Sequence, residues 1–240
     1  MKKFFCIFSL LISLFITGCN KNENELVLVT EAGFAPYEYY EDGEIVGVDI
    51  EIAKIIASKL NKELVIKDVS FDFLINEVKS GKADFAAAGI SITDERKKEV
   101  DFTKEYTISN QVVVVKKNSQ LKSFDEIKNK KIAVQLGTVA DFYVEENYPD
   151  ATLITHKKYL SAVEDVKAGK ADLIIMDNLP AQEIIKENND LKIMDGVLFR
   201  DKYGMIVKKG NTELKKQIDE ILEELINDGT IDNLILKYTK

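Results

Sequence analysis

Ala88-Gly89-Ile90-Ser91-Ile92-Thr93-Asp94-Glu95-Arg96-Lys97-Lys98-Glu99-Val100-Asp101-Phe102 follows the apolar run Phe85-Ala86-Ala87-Ala88, and the fold reads outward from this stretch. The run predicts a short buried strand ended by Gly89. Thr93 followed by Asp94 and Glu95 predicts an N-cap with acids in the first helical turn. A strand that empties into a helix start at the C-terminal edge of a sheet is where α/β proteins usually seat ligands. Arg96 lies one turn into that helix, close enough to return its guanidinium over the loop, where Ser91 and backbone N–H groups can share one carboxylate with it. A small anion or zwitterion is the implied ligand. The same pattern also admits a solvated face on which Arg96 pairs with Glu99 or Asp101.

On either side the chain alternates strand and helix patterns. Leu26-Val27-Leu28-Val29 predicts a buried strand and Gly33-Phe34-Ala35-Pro36-Tyr37 a loop. Asp49 to Leu60 places Ile52, Ile55, Ile56 and Leu60 on one helical face before the strand Leu64-Val65-Ile66. Such alternation argues for mostly parallel sheets with right-handed crossovers. Lys131 to Gln135 predicts a strand, Leu136-Gly137-Thr138 a turn and Val139 to Asn147 a helix, a second strand-loop-helix nest for an anion. Ser123-Phe124-Asp125-Glu126 and Ser161-Ala162-Val163-Glu164 have capping-box spacing. Tyr106 to Val115 and Tyr203 to Val207 are candidates for strands that cross between lobes. Thr212 to Asp228 predicts a long amphipathic helix closed by Gly229, with a short final helix to Tyr238.

An internal echo organises these units. Val78-Lys79-Ser80-Gly81-Lys82-Ala83-Asp84 recurs 88 residues later as Val166-Lys167-Ala168-Gly169-Lys170-Ala171-Asp172, each copy ending a helix at a glycine and entering an apolar strand. Carried forward, the first strand ends at Gly89 and the second, Ile174-Ile175-Met176-Asp177, at Asp177. Two related sheets with a site at each set of strand ends predict two facing lobes.

Bulk properties fit this picture. A chain of 240 residues with 31% charged and 45% hydrophobic residues can build two lobes of ~100 residues each. The net charge of −8 makes nucleic acid an unsuitable partner. Lys2-Lys3, the 13 apolar-rich residues Phe4 to Ile16 and the box Ile16-Thr17-Gly18-Cys19 read as a lipoprotein signal peptide over residues 1–18. Its removal takes two positive charges from −8, giving −10. Cys19 then becomes the lipidated, palmitate-bearing N-terminus, and residues 19–25 a polar tether to the membrane. An ordinary cleaved signal peptide and an uncleaved anchor are the other readings of this segment. Cys6 leaves with the leader, so no disulfide is expected. The sequence has no Gly-x-Ser-x-Gly elbow, His-Glu-x-x-His motif, cysteine pair or phosphate loop. No catalytic residue, cofactor or metal is therefore expected, and the lone His156 reads as a bystander.

The segment Gly89 to Phe102 closely resembles the signature of the substrate-binding proteins of polar amino-acid ABC transporters, bacterial extracellular solute-binding protein family 3. The resemblance covers about Leu26 to Lys240. It implies the type II periplasmic-binding-protein fold: α/β, two lobes with a mostly parallel sheet in each, and two hinge crossings. The expected lobes are residues 26–107 plus 204–240, and 108–203. It also implies an extracytoplasmic, monomeric protein that binds a free L-amino acid and passes it to an ABC permease. Arg96 would hold the α-carboxylate with Ser91 and the N–H groups around Thr138 and Val139. Asp177 and the carbonyl at Ala88-Gly89 would take the ammonium. The side chain would lie between Phe34 and Phe71, with Glu31 and Gln135 at its far end. As plain structure, Phe34 and Phe71 can be core, Asp177 a helix cap and Glu31 surface. Glu31 favours lysine, arginine, ornithine, histidine or glutamine over an acidic ligand, because two desolvated like charges cost several kcal/mol. An exported cyclohexadienyl dehydratase-like enzyme and an amino-acid sensor are the alternatives on the same fold.

Overall fold

The run Leu26–Val29 forms the inside of the first strand, with every residue buried. A strand covered on both faces has to sit inside a sheet backed by helices. The computed structural model describes residues 24–239. The expected signal peptide, Cys19 and tether residues 20–23 lie outside the described residues. In chain order the elements are β1 (Glu25–Thr30), β2 (Tyr39–Glu41), β3 (Glu44–Val46), α1 (Val48–Lys59), β4 (Glu63–Asp68), α2 (Leu74–Lys79), β5 (Phe85–Ala86), α3 (Asp94–Glu99), β6 (Val100–Phe102) and β7 (Thr107–Lys116). They continue with β8 (Lys131–Gln135), α4 (Val139–Asn147), β9 (Thr152–His156), α5 (Tyr159–Ala168), β10 (Leu173–Asp177), α6 (Asn178–Glu187), β11 (Leu191–Ile193), β12 (Phe199–Tyr203), β13 (Ile206–Lys208), α7 (Thr212–Asn227) and α8 (Thr230–Tyr238).

Two larger sheets result. The first has the order β4-β1-β5-β13-β6, the second β11-β7-β10-β8-β9 with β12 also paired to β7. In each, the strands of the βα units run parallel: β4, β1 and β5 in one, β9, β8 and β10 in the other. The remaining pairings are antiparallel, because β13 and β7 arrive from the opposite direction after the chain has crossed between sheets. The sheets are thus parallel in one half and antiparallel in the other. The crossings run side by side: Thr103 N–H donates to Met205 O at 2.9 Å and Tyr106 N–H to Tyr203 O at 3.0 Å. The stretch Tyr203 to Val207 is not one continuous strand. It breaks at Gly204–Met205, so that β12 closes the second sheet and β13 enters the first.

The repeated heptapeptide folds the same way twice. Gly81 and Gly169 both take φ +76°. Lys82 N–H bonds Glu77 O at 3.0 Å as Lys170 N–H bonds Asp165 O at 2.8 Å. Asp84 exchanges bonds with the Val27 backbone and Asp172 with the Lys131 backbone, all at 2.8 Å. The echo therefore docks β5 beside β1 and β10 beside β8 by one device.

Two helix starts differ from the capping-box reading. Ser123 precedes only a 3-10 turn, Phe124–Ile127, and its side chain caps nothing. Ser161 lies inside α5, which begins at Tyr159, because the apolar Tyr159 and Ala162 are drawn into the core and carry the helix start back with them. On the far side of the first sheet, α1 meets the C-terminal helices through Ile52, Ile56, Ile218 and Leu222, none of them exposed. Each such side chain contributes about 1.5–3 kcal/mol on burial. This packing keeps the strand ends fixed beneath the loops that carry the site.

Candidate ligand-binding site

The C-terminal ends of the parallel strands from both sheets face a narrow, nearly closed crevice of about 10 Å³. Its walls include Glu31, Phe34, Phe71, Ala88, Gly89 and Ser91 from the first sheet's loops, and Gln135, Thr138, Val139 and Asp177 from the second's. All the sequence-predicted ligand-binding residues except Arg96 thus converge there, and Cys19 lies outside the described residues. Glu38 and Tyr159 complete the lining. Arg96 lines the larger groove alongside, with Phe71 and Val139 common to both.

Thr93 caps α3 as its position predicts, with Oγ1 accepting from Arg96 N–H at 3.2 Å. The cap aims Arg96 back toward the loop, where it is buried. One guanidinium nitrogen donates to Ser91 O at 2.6 Å and the other to Gly137 O at 2.9 Å, so this side chain ties the two sheets' loops together. Phe71 lies under the group, 5.6 Å from the guanidinium carbon to the ring centre. Burial pushes the Arg96 pKa down to about 10, against the pull of Asp201 and Asp177. Glu99 and Asp101 pair with Lys79 and Lys209 instead, so the solvated-face reading of Arg96 does not hold. The Ser91 hydroxyl donates to Asp201, a residue absent from the sequence-level site. The Ser91 hydroxyl is thus engaged with the half-buried carboxylate of Asp201, and sharing a ligand's carboxylate with Arg96 requires it to turn from that partner.

Asp177 occupies the N-cap position of α6 but makes no capping bond. Its Oδ1 instead accepts from Ser109 Oγ at 2.5 Å, Gln111 Nε2 at 2.7 Å and the Tyr203 hydroxyl. Burial raises its pKa, and the same burial together with the Asp177 charge pushes Asp201 up to about 7. Asp177 and Asp201 therefore form a carboxylate wall whose charge acts on Arg96.

Beneath it, Gly89 turns the chain at φ +53°, and its N–H donates to Asp49 Oδ2 at 3.0 Å. A Cβ at Gly89 would lie 2.7 Å from the Phe34 ring, so a glycine is required for both conformation and space. Tyr106 Oη holds Asp49 at 2.7 Å from Oδ1. Burial pushes Asp49 up to about 6, and Glu38, fully buried beside it, well above the carboxylate range. Phe34 is buried and stacks between Tyr37 and Tyr159, with ring centres 5.9 and 5.8 Å away. It is at once core and cavity wall.

At the far end Glu31 is buried, not at the surface. Its Oε2 accepts from Gln135 Nε2 at 3.1 Å, a bond between the two sheets' loops, and Gln135 also donates to Lys157 O at 2.9 Å. The Lys158 ammonium lies 3.3 Å from Glu31 Oε1. Burial raises the Glu31 pKa, with Gln135 and Lys158 opposing. His156 Nε2 faces Asp165 at 3.1 Å, away from this lining. Lys158 and Tyr159 follow the strand end of β9, the position already used to single out Gly89 and Thr138, so the signal that could have found them was present. Glu38 and Asp201 sit in no comparable pattern. Among the described residues, no group of three or more His, Cys, Asp or Glu side chains has the arrangement of a metal site.

The model of the bacterial extracellular solute-binding proteins, family 3, matches residues 26–240. The arginine-binding extracellular protein ArtP of Bacillus subtilis (strain 168) is 30% identical over 226 residues, covering 92% of this chain and 89% of its own. The glutamine-binding protein GlnH of the same organism is 33% identical over 202 residues, covering 82% and 74%. Among solved structures, the amino-acid ABC transporter substrate-binding protein AbpA from Streptococcus pneumoniae, bound to L-arginine, superposes with a TM-score of 0.87 at 34% identity, covering 90% of this chain and 94% of that one. An ancestral amino-acid-binding protein described as a precursor of cyclohexadienyl dehydratase superposes with a TM-score of 0.85 at 31% identity, covering 90% and 96%.

Proposed function

This chain belongs to the bacterial extracellular solute-binding proteins, family 3, and from that premise we propose that it binds a free polar L-amino acid in the cleft between its two lobes and delivers it to an ABC permease. The observation that carries the reading is the charge layout of the cleft. A buried guanidinium at Arg96, a buried carboxylate at Asp177 and a second carboxylate at Glu31 match the carboxylate, ammonium and side-chain end of one zwitterion. Arg96, Ser91 and the N–H groups at the start of α4 would take the carboxylate. Asp177 and the Gly89 carbonyl would take the ammonium. Phe34 and Phe71 would flank the side chain, whose end meets Glu31 and Gln135. This favours basic or glutamine-like ligands, the classes named for ArtP, GlnH and AbpA.

The lobes in this reading are residues 26–107 plus 204–240, and 108–203, hinged where the paired connectors cross. Lipidation at Cys19 would hold the protein to the membrane outside the cytoplasm as a monomer. Binding without turnover is supported by relatives that are named as binding proteins. A thermal-shift screen of the twenty amino acids, followed by calorimetry of the hits, tests the proposal. A shift with arginine, lysine or glutamine is expected; no shift with any amino acid would refute it.

A further inference from the structure

Lys158 is the residue just before α5, and its side chain reaches from the second sheet's loops to the first's, placing Nζ 3.3 Å from Glu31 Oε1 and 3.9 Å from Asp68 Oδ2. The two partners of the main pair differ sharply: the Glu31 side chain is 2% exposed and that of Lys158 44%. A buried carboxylate needs a positive partner far more than a half-exposed ammonium needs a negative one. Gly33 allows the arrangement, because a Cβ there would lie 2.9 Å from Glu31 Oε1. Gln135 satisfies only the other oxygen, Oε2.

We propose that Lys158 is a specificity-determining residue, a built-in substitute for the cationic end of a ligand, that sets the balance between basic and amide side chains. The inference rests on the amino-acid-binding reading of the cleft. A glutamine-like side chain leaves Lys158 on Glu31, so the carboxylate stays neutralised and the amide is read by Gln135 and by Oε2, the oxygen that Lys158 does not hold. An arginine or lysine side chain must evict Lys158, exchanging one cation for another. The evicted ammonium returns to water by changing rotamer, yet the ligand gains only the difference between the two pairs. Glu31 alone would favour basic ligands strongly; Lys158 cancels part of that preference. Specificity here is a difference of affinities, and the protein's own cation acts as the competitor.

Calorimetry with arginine, lysine and glutamine on wild type, Lys158→Met and Lys158→Arg tests this. Methionine keeps an unbranched apolar stem and removes the charge; arginine restores it. Lys158→Met is expected to raise the ratio of arginine to glutamine affinity by about tenfold, and Lys158→Arg to leave it within about threefold of wild type. A ratio within about threefold of wild type in Lys158→Met overturns the role of Lys158 while leaving amino-acid binding standing. Failure of all three ligands to bind the wild type overturns the reading of the cleft, and this inference with it.

Discussion

Replacing Arg96 by methionine separates what the residue does for stability from what it does for binding. Its burial is unfavourable to the charge, as the pKa pushed down to about 10 records. Two bonds offset that cost: one to Ser91 O within its own loop, one to Gly137 O across the cleft. Hydrogen bonds from a charged donor contribute about 1.5–3 kcal/mol each. Removing one charged partner alone forfeits these bonds and leaves Asp201 and Asp177 without the positive charge that opposes their burial. Arg96→Met should therefore lower the stability of the ligand-free protein by about 2–4 kcal/mol, the lost bonds being offset in part by relief of the arginine's desolvation, by urea denaturation at pH 6. Binding should respond differently. Loss of the Gly137 bond alone lowers the closed, binding-competent population by about tenfold, because apparent affinity scales with that fraction. Loss of the carboxylate's charged partner adds about 2–5 kcal/mol, for a total above a hundredfold. Calorimetry with arginine and glutamine reads the second quantity. Wild-type affinity in a folded Arg96→Met protein would refute the assignment, and a large drop in stability with unchanged affinity would make Arg96 a structural tie.

Three further outcomes follow from the geometry. Burial holds Asp201 at about 7 and Asp49 at about 6 in the folded protein, above the unfolded range near 4, so between pH ~4 and ~7 the folded state binds more protons and stability falls as pH rises; Asp201→Asn should flatten that fall in melting temperatures measured from pH 5 to 8, and an unchanged slope would remove Asp201 as its source. Gly89→Ala, forced into φ +53° with its Cβ 2.7 Å from Phe34, should cost about 2–4 kcal/mol, whereas Gly81→Ala, at φ +76° in open space, should cost about 1 kcal/mol, and equal urea midpoints for the two variants would refute the crowding argument. Cys19→Ser should abolish incorporation of labelled palmitate, since the thiol is the group acylated, and label still entering that variant would refute lipidation at Cys19.

How much of this was legible in the sequence depends on distance along the chain. Thr93 capping Arg96, the turn Leu136-Gly137-Thr138 before α4 and the twin heptapeptides are local devices spanning three to seven residues, and each is found as read. Strand ends were legible for the same reason, and with them Gly89, Ser91, Thr138 and Asp177. Asp201 reaches Ser91 across 110 positions, through a strand pairing with β7 that no local pattern announces. Glu38 looks like any acid among tyrosines until the turn at Phe34 folds it under the cavity and against Asp49. The break at Gly204–Met205 was hidden too, because Tyr203, Met205, Ile206 and Val207 read as one apolar run although they serve different sheets. Charge partnerships were the least legible: Glu31 was read with a ligand cation opposite it, and the chain supplies one of its own.

The cross-cleft contacts also explain why closure and binding should be one event. Arg96 to Gly137, Gln135 to Glu31 and Lys158 to Glu31 join the two sheets' loops, and in the proposed clamp each involves a charge that open lobes would leave to water. Closing without ligand would strip that water and return incomplete compensation: burial raises Glu31 and lowers Arg96, and Asp177 is held by three neutral donors. A zwitterion supplies the missing opposite charges to Arg96 and Asp177 at once, and does so only in the closed form, where both can reach it. A ligand shifts a two-state equilibrium by its differential affinity for the states, so in this reading contacts made to both lobes at once drive closure. The paired connectors at Thr103–Met205 and Tyr106–Tyr203 are hydrogen-bonded to each other, so the lobes can turn about them without breaking either sheet.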